Sequence, residues 1–144
     1  MFHEYELIFI IRPDADDAEV NAAVERVTTT ITDLGGHVLL KDDWGKRKLA
    51  YPIKKHTKGH YTLLRLVADP THILEVERKM RLDDRVIRFL TVKVEEAVDV
   101  AFRLKQAAEE RARKAEEEAR RQAEAEAAAA AAAQYENNKA AAQQ

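Results

Sequence analysis

The residues of this chain best suited to chemistry lie between Gly45 and Lys58. In Gly45-Lys46-Arg47-Lys48-Leu49-Ala50-Tyr51-Pro52-Ile53-Lys54-Lys55, cations alternate with an apolar and aromatic spine of Leu49, Tyr51 and Ile53, and Lys58 follows shortly after. Such a spine anchors a segment on a sheet while Arg47 and its neighbours face out. Arginine offers a planar fork that matches phosphate and stacks on rings, whereas lysine acts as a point charge. Clusters of this kind hold a nucleic-acid backbone by neutralising phosphates. The same pattern also suits an edge strand whose charges keep it from pairing with other chains. A second basic group, Arg78, Lys79, Arg81, Arg85 and Arg88, spans a predicted helix end and the next strand. Part of it complements the negative end of the helix dipole, but Arg81, Arg85 and Arg88 straddle a turn and are candidates for further phosphate contacts.

Catalytic chemistry finds little support. The chain has no Cys and no Ser, which excludes a thiol nucleophile, a disulfide framework and a Ser-His-Asp triad. His3, His37, His56, His60 and His72 show no tight metal-ligand spacing. His56 and His60 are read as facing solvent or phosphate. Asp42-Asp43 and Asp83-Asp84 fall in turns, where adjacent side chains diverge. Gly35-Gly36 stands alone and makes no phosphate loop. The reading is of a binding protein, not an enzyme, with no cofactor, no metal and no small-molecule substrate.

Charge is distributed unevenly along the 144 residues. Residues 1–40 hold two basic residues against eight acidic, residues 41–65 hold eight basic against two acidic, and residues 78–93 hold six against two. The formal net charge of −2 conceals this. Clustered positive charge is the footprint of a phosphate-rich partner. No stretch approaches the ~18 apolar residues of a membrane span. The N-terminus lacks a basic stretch followed by a cleavage site, so the cytoplasm is expected.

The elements that must position these cations follow from periodicity. A domain of residues 1–96 and a tail of residues 97–144 are expected, because every Gly, Pro and Trp lies before residue 97. Phe2–Ile11 reads as a strand. Asp14 or Asp16 caps a helix whose stripe is Val20, Val24, Val27, Ile31 and Leu34, and Gly35-Gly36 ends it. Val38-Leu39-Leu40 opens a second strand, interrupted at Asp42–Gly45 as by a bulge, and resumed over Lys46–Ile53. Lys54–Gly59 reads as a basic turn and His60–Ala68 as a third strand. Asp69-Pro70 starts a second helix with Ile73, Val76 and Met80 inward, and Val86–Val94 is the fourth strand. The order β-α-β-β-α-β predicts an α+β domain, a four-stranded antiparallel sheet with both helices on one face. Its other face is left for solvent or a partner.

Lys58-Gly59-His60-Tyr61-Thr62-Leu63-Leu64-Arg65 is similar to the strand motif of RRM domains, but His60 and Thr62 occupy its stacking positions. Base stacking across an open sheet is therefore disfavoured. A stronger resemblance lies in Trp44-Gly45-Lys46-Arg47-Lys48-Leu49-Ala50-Tyr51-Pro52-Ile53, which resembles the signature of the bacterial small-subunit ribosomal protein six family. Tyr5-Glu6, Gly59-His60-Tyr61 and Asp83-Asp84-Arg85-Val86-Ile87-Arg88 match the same pattern. The resemblance covers residues 1 to about 96. It implies a ferredoxin-like fold, a structural role in the small-subunit platform, and binding of the central domain of 16S ribosomal RNA together with small-subunit ribosomal protein eighteen. Carried onto this chain, the implied RNA-binding residues are Lys46, Arg47, Lys48, Lys54, Lys55 and Lys58, with Arg81, Arg85 and Arg88 as a second set.

The tail is rich in strong helix formers, with i,i+4 pairs such as Glu117 and Arg121. Beyond Leu104 its only apolar stripe is alanine. It reads as a lone solvated helix with a frayed, disordered end.

Overall fold

The computed structural model describes residues Met1–Gln144. Seven elements follow in order: β1 (His3–Ile11), α1 (Asp17–Asp33), β2 (His37–Ile53), β3 (His56–Ala68), α2 (Pro70–Leu82), β4 (Val86–Glu95) and α3 (Val100–Ala142). The strands form one antiparallel sheet in the order β2-β3-β1-β4, as the β-α-β-β-α-β pattern predicts.

Local chemistry sets the helix limits. Asp16 caps α1, its Oδ1 accepting from the Glu19 backbone N–H at 2.8 Å. At the other end, Gly36 N–H donates to Ile31 and Gly35 N–H to Thr32. This paired pattern needs a left-handed residue, and Gly35 supplies it with φ +85°. Asp69 caps α2 through the Thr71 N–H, and Pro70 sits at the first helical position.

The core lies between the helices and one face of the sheet. Tyr5, Leu7, Phe9 and Ile11 of β1 alternate inward, joined by Leu64 and Leu66 of β3, Val20, Val27 and Ile31 of α1, and Ile73, Val76 and Met80 of α2. The opposite face is not bare. Arg103, at the start of α3, places Nε and Nη2 at 3.1 and 3.0 Å from Glu4 Oε1. At the far end, Leu49 and Ile87 are buried on Ile10, with Ile53 and Tyr61 packed alongside.

The β2–β3 region departs from expectation in part. At Asp42–Gly45 the bulge read from the sequence is present, as a register shift with Gly45 at φ +72°, and β2 continues through it as one strand. The basic turn is shorter than Lys54–Gly59: β3 begins at His56, and the turn is Lys54-Lys55 alone. Lys58 is thus a strand residue, paired opposite Lys48. A longer hairpin pairs more backbone groups, which decides against an open loop. His60 also faces neither solvent nor phosphate. It is 8% exposed, with Nε2 2.6 Å from Asp43 Oδ1.

The chain divides into two compact units, Met1–Leu104 and Lys105–Gln144. The second is helical to Ala142, further than a frayed end allows, and Glu117 and Arg121 pair across one turn at 3.0 Å.

Two outcomes follow from this packing. A Cβ built on Gly59 meets Ile10 Cγ2 at 2.2 Å. Gly59→Ala is therefore expected to cost about 1–3 kcal/mol in urea unfolding, the range for overpacking, and to speed amide exchange over residues 46–58. The second concerns Asp83, whose side chain is 7% exposed and accepts from Arg85 N, Nε and Nη2. The Arg85 hydrogen bonds hold its carboxyl below the usual aspartate range. The unfolded chain takes up that proton more readily than the folded one. The stabilisation is full above the ordinary aspartate range and is lost as pH falls through the lowered folded value. Asp83→Asn should therefore be less stable than the parent at neutral pH and lose less stability between about pH 5 and pH 2. Equal acid losses in chemical denaturation would contradict this.

Candidate nucleic-acid interface

β1 pairs with β3 only as far as Ile11 opposite His60, so the β2–β3 hairpin beyond that pair projects past β1. Its tip adopts left-handed backbone at both turn residues, φ +46° at Lys54 and +69° at Lys55. A two-residue turn of this twist normally draws on Asn and Gly. Each lysine there costs roughly 1–2 kcal/mol in left-handed strain. Lys48 and Lys58 face each other across the ladder, and like charges directly opposite are destabilising. Local stability would favour other residues at all four positions.

Register distributes the cations over both sides of the hairpin. Lys46 lies opposite His60 and Arg47 opposite Gly59, so Lys46, Lys48 and Lys58 share the helix-facing side while Arg47 stands on the other. Lys46, Arg47, Lys48, Lys54, Lys55 and Lys58 are all exposed and none pairs with a carboxylate. The two nearest acids are engaged elsewhere. Asp42 Oδ2 accepts from Trp44 Nε1 at 2.9 Å. Asp43 Oδ1 accepts from the Gly45 N–H at 2.8 Å and meets His60. Together they hold the bulge that turns Trp44 onto Tyr61, the rings stacked with centroids 6.4 Å apart.

That ring carries Arg47, whose guanidinium carbon lies 5.5 Å from the Trp44 centroid while Nε donates to Trp44 O at 3.2 Å. The second basic group repeats the device. Arg81 lies 5.5 Å from the Phe89 centroid, and Arg88 lies 5.6 Å from that of Tyr51 and donates to its hydroxyl. Arg81 Nη2 also donates to Glu77 Oε2 at 3.3 Å, and each ring seat leaves its arginine less rotamer freedom to lose on binding. Tyr51 thus does not share the anchoring spine with Leu49 and Ile53. It is 55% exposed, and its ring serves as the seat of Arg88. Arg85 differs from its neighbours: its guanidinium is held in a two-pronged bond to Asp83 and fixes the α2–β4 turn.

The two basic groups, separate in sequence, meet in space. Lys54 of the hairpin tip lines one pocket with Arg81 and Arg88. Trp44 and Phe89 are members of this surface that sequence reasoning passed over. Their aromatic character was visible, but the arginine each supports was not. No group of His, Asp or Glu is arranged to hold a metal ion. No helix is long and apolar enough to cross a membrane.

Comparison with known proteins agrees with this fold. The sequence model of Ribosomal protein S6 matches residues 4–93. Small ribosomal subunit protein bS6 of Syntrophotalea carbinolica is 49% identical over 111 residues, covering 74% of this chain and 96% of the relative. The bS6 protein of an Exiguobacterium species is 48% identical over 92 residues, covering 64% and 97%. The crystal structure of 30S ribosomal protein S6 from Thermotoga maritima superposes with a TM-score of 0.63 at 30% identity, covering 81% of this chain and 99% of that one. The chain therefore belongs to the ribosomal protein S6 family and is a structural, non-enzymatic component of the small ribosomal subunit, associated with the ribosome in the cytoplasm.

Proposed function

We propose that the protein binds the central domain of 16S ribosomal RNA together with small-subunit ribosomal protein eighteen, and so supports assembly of the platform. The observation that carries this reading is the three ring-seated arginines, Arg47, Arg81 and Arg88, together with the hairpin lysines that no carboxylate pairs. Lys46, Lys48, Lys54, Lys55 and Lys58 supply the long-range attraction, and the arginines supply directed contacts to phosphate oxygens. Arg85 acts by holding the turn from which Arg88 departs. Structured RNA is read through its backbone, its shape and its 2′-hydroxyls, which suits cations on both faces of a projecting hairpin better than an open stacking sheet. The edge-protection reading of these charges explains lysines on β2, but it gives no reason to seat three arginines on rings.

The test is a binding titration of the central-domain junction RNA with the partner protein present. Arg47→Ala is expected to weaken binding by about 1–3 kcal/mol, the range of a charge-assisted contact. Affinity should fall steeply with salt, and the variant's slope should be shallower by about one unit. An Arg47→Ala affinity indistinguishable from the parent, at every salt concentration, would refute the reading.

A further inference from the structure

We infer that His60 is a positioning residue for RNA binding: through Asp43 it fixes the bulge at Trp44, and so sets where Arg47 is held. The inference rests on the RNA-binding reading above and adds to it a residue that touches no RNA itself. His60 is 8% exposed. It alternates with Leu64 and Leu66 on the helix-facing side of β3, whereas Trp44, Tyr61 and Arg47 meet on the open side. Asp43 lies opposite Thr62 and Gly45 opposite Tyr61, so Trp44 is the extra residue of the bulge. A bulge aims the side chain it leaves out of the ladder, and that aim is only as firm as the bonds holding the bulge.

The linkage runs through one oxygen. Asp43 Oδ1 accepts from the Gly45 N–H at 2.8 Å and lies 2.6 Å from His60 Nε2. An ionised carboxylate only accepts, so His60 Nε2 is the donor of the second bond. The Gly45 bond closes a local turn within β2. The His60 bond ties that turn to β3. Without it the Asp43 side chain, 64% exposed, turns freely into water. Two other contacts hold Trp44. Its Nε1 donates to Asp42 Oδ2 at 2.9 Å, a bond between residues two apart that moves with the bulge. Its ring stacks on Tyr61, which fixes distance more than direction. The His60 bond is the directed tie across the strands. Arg47 depends on it twice, because Trp44 supplies both the ring 5.5 Å from its guanidinium carbon and the carbonyl that accepts from its Nε at 3.2 Å. A shift of this one residue releases Arg47 from both holds and restores the rotamer freedom that binding must then remove.

Three variants of the full-length protein test this, with urea midpoints recorded for each. His60→Gln keeps a donor near Nε2, His60→Leu keeps the bulk without a donor, and Asp43→Ala removes the acceptor at an exposed position. Trp44 is the only tryptophan, so its fluorescence reports the bulge directly. Acrylamide quenching should rise in His60→Leu and Asp43→Ala and stay at the parent value in His60→Gln. Affinity for the central-domain junction RNA, with the partner protein present, should fall about tenfold in His60→Leu and Asp43→Ala, as for a lost charge-assisted contact, and hold in His60→Gln. Asp43→Ala is the sharper case and decides alone if His60→Leu does not fold. It removes a negative charge beside the basic hairpin, which by charge alone strengthens binding of a polyanion. Tighter binding by Asp43→Ala overturns the proposal, as does a loss in His60→Gln equal to that in His60→Leu. Asp43→Ala combined with Arg47→Ala should bind no more weakly than Arg47→Ala alone, and losses that multiply place the effect outside Arg47 and overturn it. Parent affinity in His60→Leu and Asp43→Ala, while Arg47→Ala binds weakly, removes the positioning role and leaves the proposed function standing. Parent affinity in Arg47→Ala as well removes both.

Discussion

The close approach of Gly59 to Ile10 governs the geometry of the whole basic surface. At this point the β2–β3 hairpin leaves the end of β1, and any side chain at position 59 would collide with Ile10. With only hydrogen there, Leu49 reaches Ile10 and Ile87 and is buried, and Ile53 follows. Burial of two aliphatic side chains, at about 1.5–3 kcal/mol each when complete, is what holds a charged hairpin against the domain. Tyr51 then stands beneath Arg88, and Lys54 lines one pocket with Arg81. A packing detail with no charge of its own thus determines where the charges point.

Electrostatics on this surface runs against local stability. Two lysines hold a strained turn, two more oppose each other across a ladder, and three cations share one pocket. Elsewhere the chain pairs its charges closely: Arg12 with Glu19, Arg78 with Glu75, Arg65 with Glu6 and Arg103 with Glu4. The contrast is informative because surface pairs contribute little on their own. What distinguishes the hairpin is that its neighbouring acids, Asp42 and Asp43, hold a bulge and a histidine instead of the cations. The repulsion among the hairpin cations is therefore not offset by these carboxylates.

The sheet's second face shows how a small domain manages exposed apolar area. Both ends are covered, one by the Arg103–Glu4 contact and the other by the Leu49 cluster. Between them Leu90 and Val92 remain exposed. Covering both ends leaves no continuous row of side chains for stacking bases, consistent with the absence of paired aromatics at His60 and Thr62.

Much of this was legible in the residues themselves. Period-two and period-3.6 patterns, the caps Asp16 and Asp69 and the stop at Gly35-Gly36 define β-α-β-β-α-β, because each is a short-range effect of backbone sterics and hydrogen bonding. Clustered cations between Gly45 and Lys58 are likewise a property of the chain order. Legibility stopped where an outcome depended on partners far along the chain. Tyr51 looks like core until Arg88, 37 residues away, is placed on its ring. His60 looks exposed until the continuous β2 ladder brings Asp43 against it, 17 residues distant. Arg85 looks like its neighbours until Asp83 claims it. The sequence by itself determined the order of elements, their caps and the sign of the surface charge. Only the tertiary structure decided which cations stay free and which rings carry them, because that depends on how the hairpin folds over Ile10 and joins two segments of the chain in one pocket.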